Sequence, residues 1–218
     1  MISQPIQVSG TQWVLMKVRI YVEMLKVRLS MLVAFSCAFG YGLATRGAIH
    51  WQTLVMLTLG GFLLSGASIG INQVIERDLD KLMKRTSSRP LPTHRLSVNE
   101  AIGFIVFCFI SSITILWMYT NPLTVILSIV SMVLYGFVYT PLKRVGPIAV
   151  FVGALPGALP PLLGWVAATG SITHEAMIIF GIQFIWQFPH FWAIAWVSDD
   201  DYKNAGFKLL PSLSLIHI

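Results

Sequence analysis

The chain is 218 residues long, 56% apolar and only 11% charged, with 13 Phe, 7 Trp and 6 Tyr. Soluble domains run about a quarter charged and disordered chains are poor in aromatics, so both are excluded and a membrane protein is indicated. The formal net charge of +6 points to a lipid bilayer and not to nucleic acid, because the cations sit between the apolar runs.

Residues 1–10 lack the charged, apolar and small-residue succession of a cleaved signal, so the amino terminus reads as retained. Crossing the hydrocarbon takes about 20 apolar residues in a helix. Six runs meet that requirement, near 27–45, 51–75, 98–118, 122–140, 146–168 and 174–198. Cys37 and Cys108 fall inside such runs and read as small buried hydrophobes. Trp51, Trp117 and Trp165 stand near span ends, either as an aromatic belt or as packing.

Glycine and proline punctuate the second span (Gly60, Gly61, Gly66, Gly70) and the fifth (Gly153, Pro156, Gly157, Pro160, Pro161, Gly164). Small residues let membrane helices approach closely, and the prolines are expected to bend span five or open its backbone toward a cavity. Of the 15 Lys and Arg, only Arg46 lies outside the amino-terminal segment and the connections that follow even-numbered spans. Positive connections stay cytoplasmic, so the amino terminus is expected there.

The acids gather on the same side, which topology does not explain. Asn72, Glu76 and Asp80 recur every fourth residue at the end of span two and share one helical face. Hard cations such as Mg²⁺ take oxygen ligands and are shared between one or two carboxylates and substrate phosphates. The alternative is a solvated helix end whose acids pair with Arg77 and Lys81. The basic loop that follows carries Arg85 and Arg89, and arginine grips phosphate oxygens bidentately.

Lys143, in Tyr139-Thr140-Pro141-Leu142-Lys143-Arg144 at the end of span four, is either a phosphate contact or a topology anchor. Asp199-Asp200-Asp201-Tyr202 after span six is either a second metal-binding site or a solvated cap. His190 is the one histidine well inside a span and precedes Asp199 by nine residues, about 13 Å along a helix. It reads as a haem ligand or as a histidine hydrogen-bonded to a neighbouring helix.

These motifs occur in a fixed order. Asn72-x3-Glu76-x3-Asp80 leads to Arg85-Thr86-x2-Arg89-Pro90-Leu91, then Tyr139-Thr140 with Lys143-Arg144, then Pro189-His190-Phe191-Trp192, and finally Asp201-Tyr202 with Ala205-Gly206 and Leu210-Pro211. In that order they resemble the UbiA-type intramembrane prenyltransferases, in their protohaem IX farnesyltransferase (haem O synthase) branch, from roughly Tyr21 to Pro211.

The resemblance implies an all-α polytopic transmembrane helical bundle, six spans being visible of about nine, around a cavity that opens laterally to lipid. On that reading residues 1–211 form one prenyltransferase domain, incomplete at its carboxyl end and therefore inactive, and 212–218 are a tail of doubtful origin. It implies Mg²⁺-dependent transfer of a farnesyl group from farnesyl diphosphate to a vinyl side chain of haem B, giving haem O, in a bacterial inner membrane. It also implies partners in the haem A pathway or in terminal-oxidase assembly.

Asn72, Glu76, Asp80, Asp200 and Asp201 are then the metal ligands, with Arg85 and Lys143 joining in catalysis. Arg89, Tyr139, Arg144, His190 and Tyr202 are the substrate contacts. Two departures stand out. Glu76 replaces the aspartate of many relatives, and no aspartate lies four residues beyond Asp199, Asp200 or Asp201, where Lys203, Asn204 and Ala205 stand. A prenyltransferase acting on a quinone precursor is the nearer alternative, and a small cation transporter or channel the one from another class.

Overall fold

The computed structural model describes residues 10–210; the first nine residues, Pro211 and the tail at 212–218 lie outside the described residues. Among the described residues all regular structure is helical: α1 (Gly10–Leu25), α2 (Val27–Thr45), α3 (Trp51–Ile75), α4 (Arg77–Asp80), α5 (Val98–Tyr119), α6 (Pro122–Val133), α7 (Thr140–Leu142), α8 (Ile148–Thr169), α9 (His174–Val197) and α10 (Asp199–Asn204). Six segments are long and apolar enough to cross a membrane, α6 through α7 counting as one, and their ends lie within two residues of the expected spans.

Local chemistry sets those ends. His50 Nδ1 accepts from the Thr53 amide, Ser97 from that of Glu100, Asn121 from that of Thr124 and Thr173 from that of Ala176, so four of the spans begin on a side-chain cap. Pro122 opens α6 where its missing N–H costs nothing.

Span four departs from the expected regular helix. It is α-helical only to Val133, and Leu134–Tyr139 then winds as a π-helix. Thr140 Oγ1 donates to the Tyr135 carbonyl at 2.9 Å, bonding the wide turn from its side chain. Nothing in the apolar run signals this.

Three prolines do not break α8, which runs unbroken from Ile148 to Thr169. Pro161 lacks the N–H that the Gly157 carbonyl would otherwise accept, and in lipid an unpaired carbonyl is costly. Gln187 of α9 supplies the substitute, its Nε2 donating to Gly157 O at 3.1 Å. The small residues do the expected packing work. A Cβ at Gly164 would run into the Cys37 carbonyl, and one at Gly40 into that of Pro161, so α2 and α8 cross with their backbones in contact.

Trp165 is buried in the core beside Leu159 and Leu162, which makes it packing, whereas Trp51 and Trp117 are exposed as belt residues are. Cys37 and Cys108 are buried among apolar side chains. Of α9, only Ala176, Gln187 and Ala195 are buried.

The glycine contact is testable. Gly164→Ala should cost about 1–3 kcal/mol through overpacking, read as a lower unfolding temperature in detergent. Gly181→Ala, which meets no atom within 4 Å, should hold or slightly raise that temperature, since alanine inside a helix is favoured over glycine by about 0.5–1 kcal/mol. Equal behaviour of the two variants would contradict the close α2–α8 crossing.

Candidate functional site

A cavity of about 490 Å³ runs between α2, α3, the fourth span, α8 and α9. Much of its wall is apolar, including Leu32, Leu57, Leu64, Leu116 and Leu163, and its other end is charged. Asn72, Glu76, Asp80, Arg85 and Arg89 reach it from α3, α4 and the basic loop. Tyr139 and Lys143 reach it from the end of the fourth span, and His190 and Tyr202 from α9 and α10. Nine of the residues singled out from the sequence therefore share one space.

The acidic face is not one continuous helix. α3 ends at Ile75, and Glu76 leaves helical geometry at φ −92° and ψ 5° before α4 begins. The fourth-residue spacing survives the break. The Glu76 amide donates to Asn72 O at 2.9 Å and the Asp80 amide to Glu76 O at 2.7 Å, so the three side chains still line one wall. Asp78 faces away and pairs with Lys81 in solvent, so the solvated-end alternative describes Asp78 alone.

Both inward carboxylates are buried and matched. The Asp80 side chain has no exposed surface, and Arg89 Nη1 donates to its two oxygens at 2.9 and 2.7 Å. Lys143 Nζ lies 2.9 Å from Glu76 Oε1 and donates to Oε2 at 3.1 Å. Oε1 itself is buried and receives no well-directed hydrogen bond.

Asn72 Nδ2 donates to Thr140 Oγ1 at 3.2 Å, and Thr86 Oγ1 donates to the Asp80 carbonyl at 2.9 Å, tying the basic loop to the acids. Among the described residues no three His, Cys, Asp or Glu side chains form a closed metal cluster. Two carboxylates and an amide form an open oxygen set, suited to a hard cation that keeps water and shares phosphate oxygens. Oε1 of Glu76, ion-paired with Lys143 but without a directed hydrogen bond, belongs to that set.

Three expected site residues do not join the others. Asp201 Oδ1 accepts from the Lys84 amide at 3.0 Å and Oδ2 from the Arg85 amide at 3.1 Å. Those bonds, the Arg85 amide's foremost, hold its carboxyl below the usual range, and the side chain clamps the basic loop in place of lining the cavity. Asp200 is exposed, while Asp199 pairs with Lys203 at 2.5 Å. Arg144 is exposed and outside the cavity wall. The physical reason is local: the short α10 turns Asp201 toward two loop amides that need acceptors, and only its neighbour Tyr202 faces inward.

Aromatic rings set the cation positions. Lys143 Nζ sits 4.9 Å from the Tyr139 ring centroid and 5.6 Å from that of Phe207, and Tyr139 packs on Phe191 at 5.5 Å. His190 is exposed where it lines the cavity, with the Phe191 ring 5.9 Å away. Burial raises the Tyr202 phenol above its ordinary value.

Two cavity residues were overlooked in the sequence. Gln187 carried a signal, since an amide inside a span needs a partner. Lys26 carried none beyond its charge. It lines the cavity from the α1–α2 corner, where burial, then Arg89 and Arg85, pulls its ammonium down to about 8.

Arg89→Met would leave the Asp80 carboxylate buried without its cation, which should cost about 3–5 kcal/mol. Adding Asp80→Asn should recover most of that loss in unfolding experiments in detergent. A double variant no more stable than Arg89→Met would show that the pair does not hold the loop.

Comparison with known proteins gives this cavity a lineage. The family model described as the UbiA prenyltransferase family matches residues 33–214. A protein named protoheme IX farnesyltransferase from Cytophaga hutchinsonii is 53% identical over 192 residues, covering 88% of this chain and 67% of the relative. One of the same name from Flavobacterium psychrophilum is 48% identical over 192 residues, covering 87% and 64%. The chain thus spans about two thirds of the length of these curated relatives.

Two solved structures share the fold. One, from work on digeranylgeranylglyceryl phosphate synthase, has a TM-score of 0.75 at 19% identity over 89% of this chain and 68% of that one. The other, a UbiA homolog from Archaeoglobus fulgidus bound to GPP and Mg²⁺, has a TM-score of 0.70 at 21% identity over 87% and 67%. With the family pattern matched over most of its length and six helices fit to span a bilayer, the chain is a multi-pass integral membrane protein that belongs to the UbiA prenyltransferase family.

Proposed function

We propose that the protein transfers a farnesyl group from farnesyl diphosphate to a vinyl side chain of haem B, releasing diphosphate and, after addition of water and loss of a proton, giving haem O. The observation that carries this reading is one cavity that joins a cation-rich, carboxylate-bearing end to apolar walls. The names of the similar proteins support the choice of acceptor. Glu76 and Asp80, with Asn72, would hold Mg²⁺, which when bound supplies charge neutralisation to the departing diphosphate.

The chain's own residues do the rest. Arg85 and Lys143 face the position where negative charge builds as the carbon–oxygen bond breaks, and donors fixed in advance at such a place are worth most. Lys143 is fixed in this sense, held by Glu76 and seated against Tyr139 and Phe207. Asp201 acts through Arg85, holding the backbone from which that side chain extends. The apolar walls keep water from the allylic cation until the vinyl group has supplied its electrons.

His190, on the exposed stretch of α9 that lines the cavity, is the residue we assign to the haem. The distribution of cations supports a bacterial inner membrane with the amino terminus and the charged end in the cytoplasm.

The test is to add haem B, farnesyl diphosphate and Mg²⁺ to membranes carrying the full-length protein and to find haem O by mass. Product from a quinone precursor and none from haem B would overturn the acceptor. Ion flux through liposomes without substrate would favour a carrier. Glu76→Gln should lower kcat/KM on the order of 10²-fold or more with the protein still inserted, and unchanged turnover would remove the metal assignment. His190→Ala should raise KM for haem B more than KM for farnesyl diphosphate; equal effects would make it a packing residue.

A further inference from the structure

Deeper than its charged end, the cavity carries a second polar level. Ser65 of α3, Ser128 and Ser131 of α6 and Gln183 of α9 line it among the leucines. A serine inside a helix commonly returns its hydroxyl to a carbonyl of the preceding turn, and Ser68 does so, donating to Leu64 O at 2.8 Å. The side chains of the other four make no hydrogen bond among the described residues. Ser128 is 2% exposed and still opens onto the cavity. Polar groups without partners at bilayer depth are costly and mark function.

These side chains converge at one depth. The hydrogen bond from Asn72 to Thr140, and Gly153 set against the rings of Tyr139 and Phe191, hold α3, span four, α8 and α9 in register at the site. Ser65 stands seven residues before Asn72, and Gln183 seven before His190, so each shares a face with its site residue and lies about 10 Å from it along the helix. Ser131 comes nine residues before Thr140, at a similar depth. On α8, beside the Gly157 carbonyl that Gln187 takes, Pro160 lines the cavity and withholds the amide that Pro156 O would accept. A buried water needs about two to four polar partners, and hydroxyls, an amide and a carbonyl are all present.

We infer that this collar holds the water that is added to the acceptor, with Ser65, Ser131 and Gln183 as its positioning residues. The inference rests on the farnesyl-transfer reading above. As the prenyl C1–O bond breaks, diphosphate leaves with the electron pair. The vinyl π pair forms the carbon–carbon bond at its outer carbon, and the positive charge moves to the vinyl carbon attached to the ring. That carbon is two bonds from C1, on the side away from the leaving group. The water oxygen bonds to it, and the proton released ends on the diphosphate. A water held in the collar stands away from the first cation and on the side of the second. Without it, the second cation loses a proton from the adjacent carbon and gives an alkene lighter than haem O by one water.

In the full-length protein Ser65→Ala, Ser131→Ala and Gln183→Leu should each leave diphosphate release within about twofold, while the ratio of haem O to that alkene, read by mass, falls about tenfold for the loss of one hydrogen bond. Ser112→Ala is the control. Ser112 lies outside the cavity wall and donates to Gly60 O at 2.7 Å, so its loss should lower the unfolding temperature in detergent without moving the ratio. An equal fall of the ratio in Ser112→Ala overturns the assignment. Haem O formed in an unchanged ratio by the collar variants removes this inference alone, whereas an unaltered protein that makes no haem O removes the farnesyl-transfer reading and this inference with it.

Discussion

Two buried ion pairs hold this site together. Asp80 with Arg89 joins α4 to the basic loop, and Glu76 with Lys143 joins the end of α3 to the end of span four. Desolvating four charges is expensive, and pairs of this kind add little net stability compared with apolar packing. Their effect is positional: removing one partner leaves a stranded charge, so the three segments cannot drift apart without exposing or orphaning a carboxylate. Thr86 on the Asp80 carbonyl and Asn72 on Thr140 reinforce the same two junctions with neutral bonds.

The membrane restricts how such a site can be built, because irregular backbone in lipid must find its partners within the protein. Three irregularities here show such partners. The break at Glu76 keeps its fourth-residue hydrogen bonds, the π stretch is bonded by Thr140, and the carbonyl freed by Pro161 takes Gln187. Two of the three bring site residues inward, Glu76 in the first and Tyr139 in the second. The third fastens α9, the least covered span, to α8, and thereby sets where His190 stands.

What could be read from the sequence follows from the range of each signal. The six spans were legible because bilayer thickness imposes a length that composition reveals, and the agreement at Val27–Thr45 and Trp51–Ile75 is complete. Asn72, Glu76 and Asp80 were legible because helical spacing is a local property, and it outlived the helix that suggested it.

Asp200 and Asp201 were assigned to a metal because neighbouring acids look alike in sequence. The amides that claim Asp201 lie more than a hundred residues away, at Lys84 and Arg85. Arg144 was grouped with Lys143 by adjacency, although successive residues on a helix turn face different sides. Lys26 was counted as a topology charge, since only tertiary structure shows that a corner points it into the cavity.

The charge balance explains why acids and cations occupy the same end. With only the protein present, Arg89 and Lys143 each neutralise a carboxylate, so Asp80 and Glu76 are held ready without bearing unpaired charge in a low-dielectric place. On the proposed reading, a diphosphate entering against Arg85 would offer the two matched cations a second anion to share and so loosen their hold on the carboxylate oxygens. The oxygens proposed to bind a hard cation would then become available when phosphate is there to complete its ligand set. A site with bare acids would have to bear their repulsion at all times, and one with bare cations would hold the product too firmly to release it.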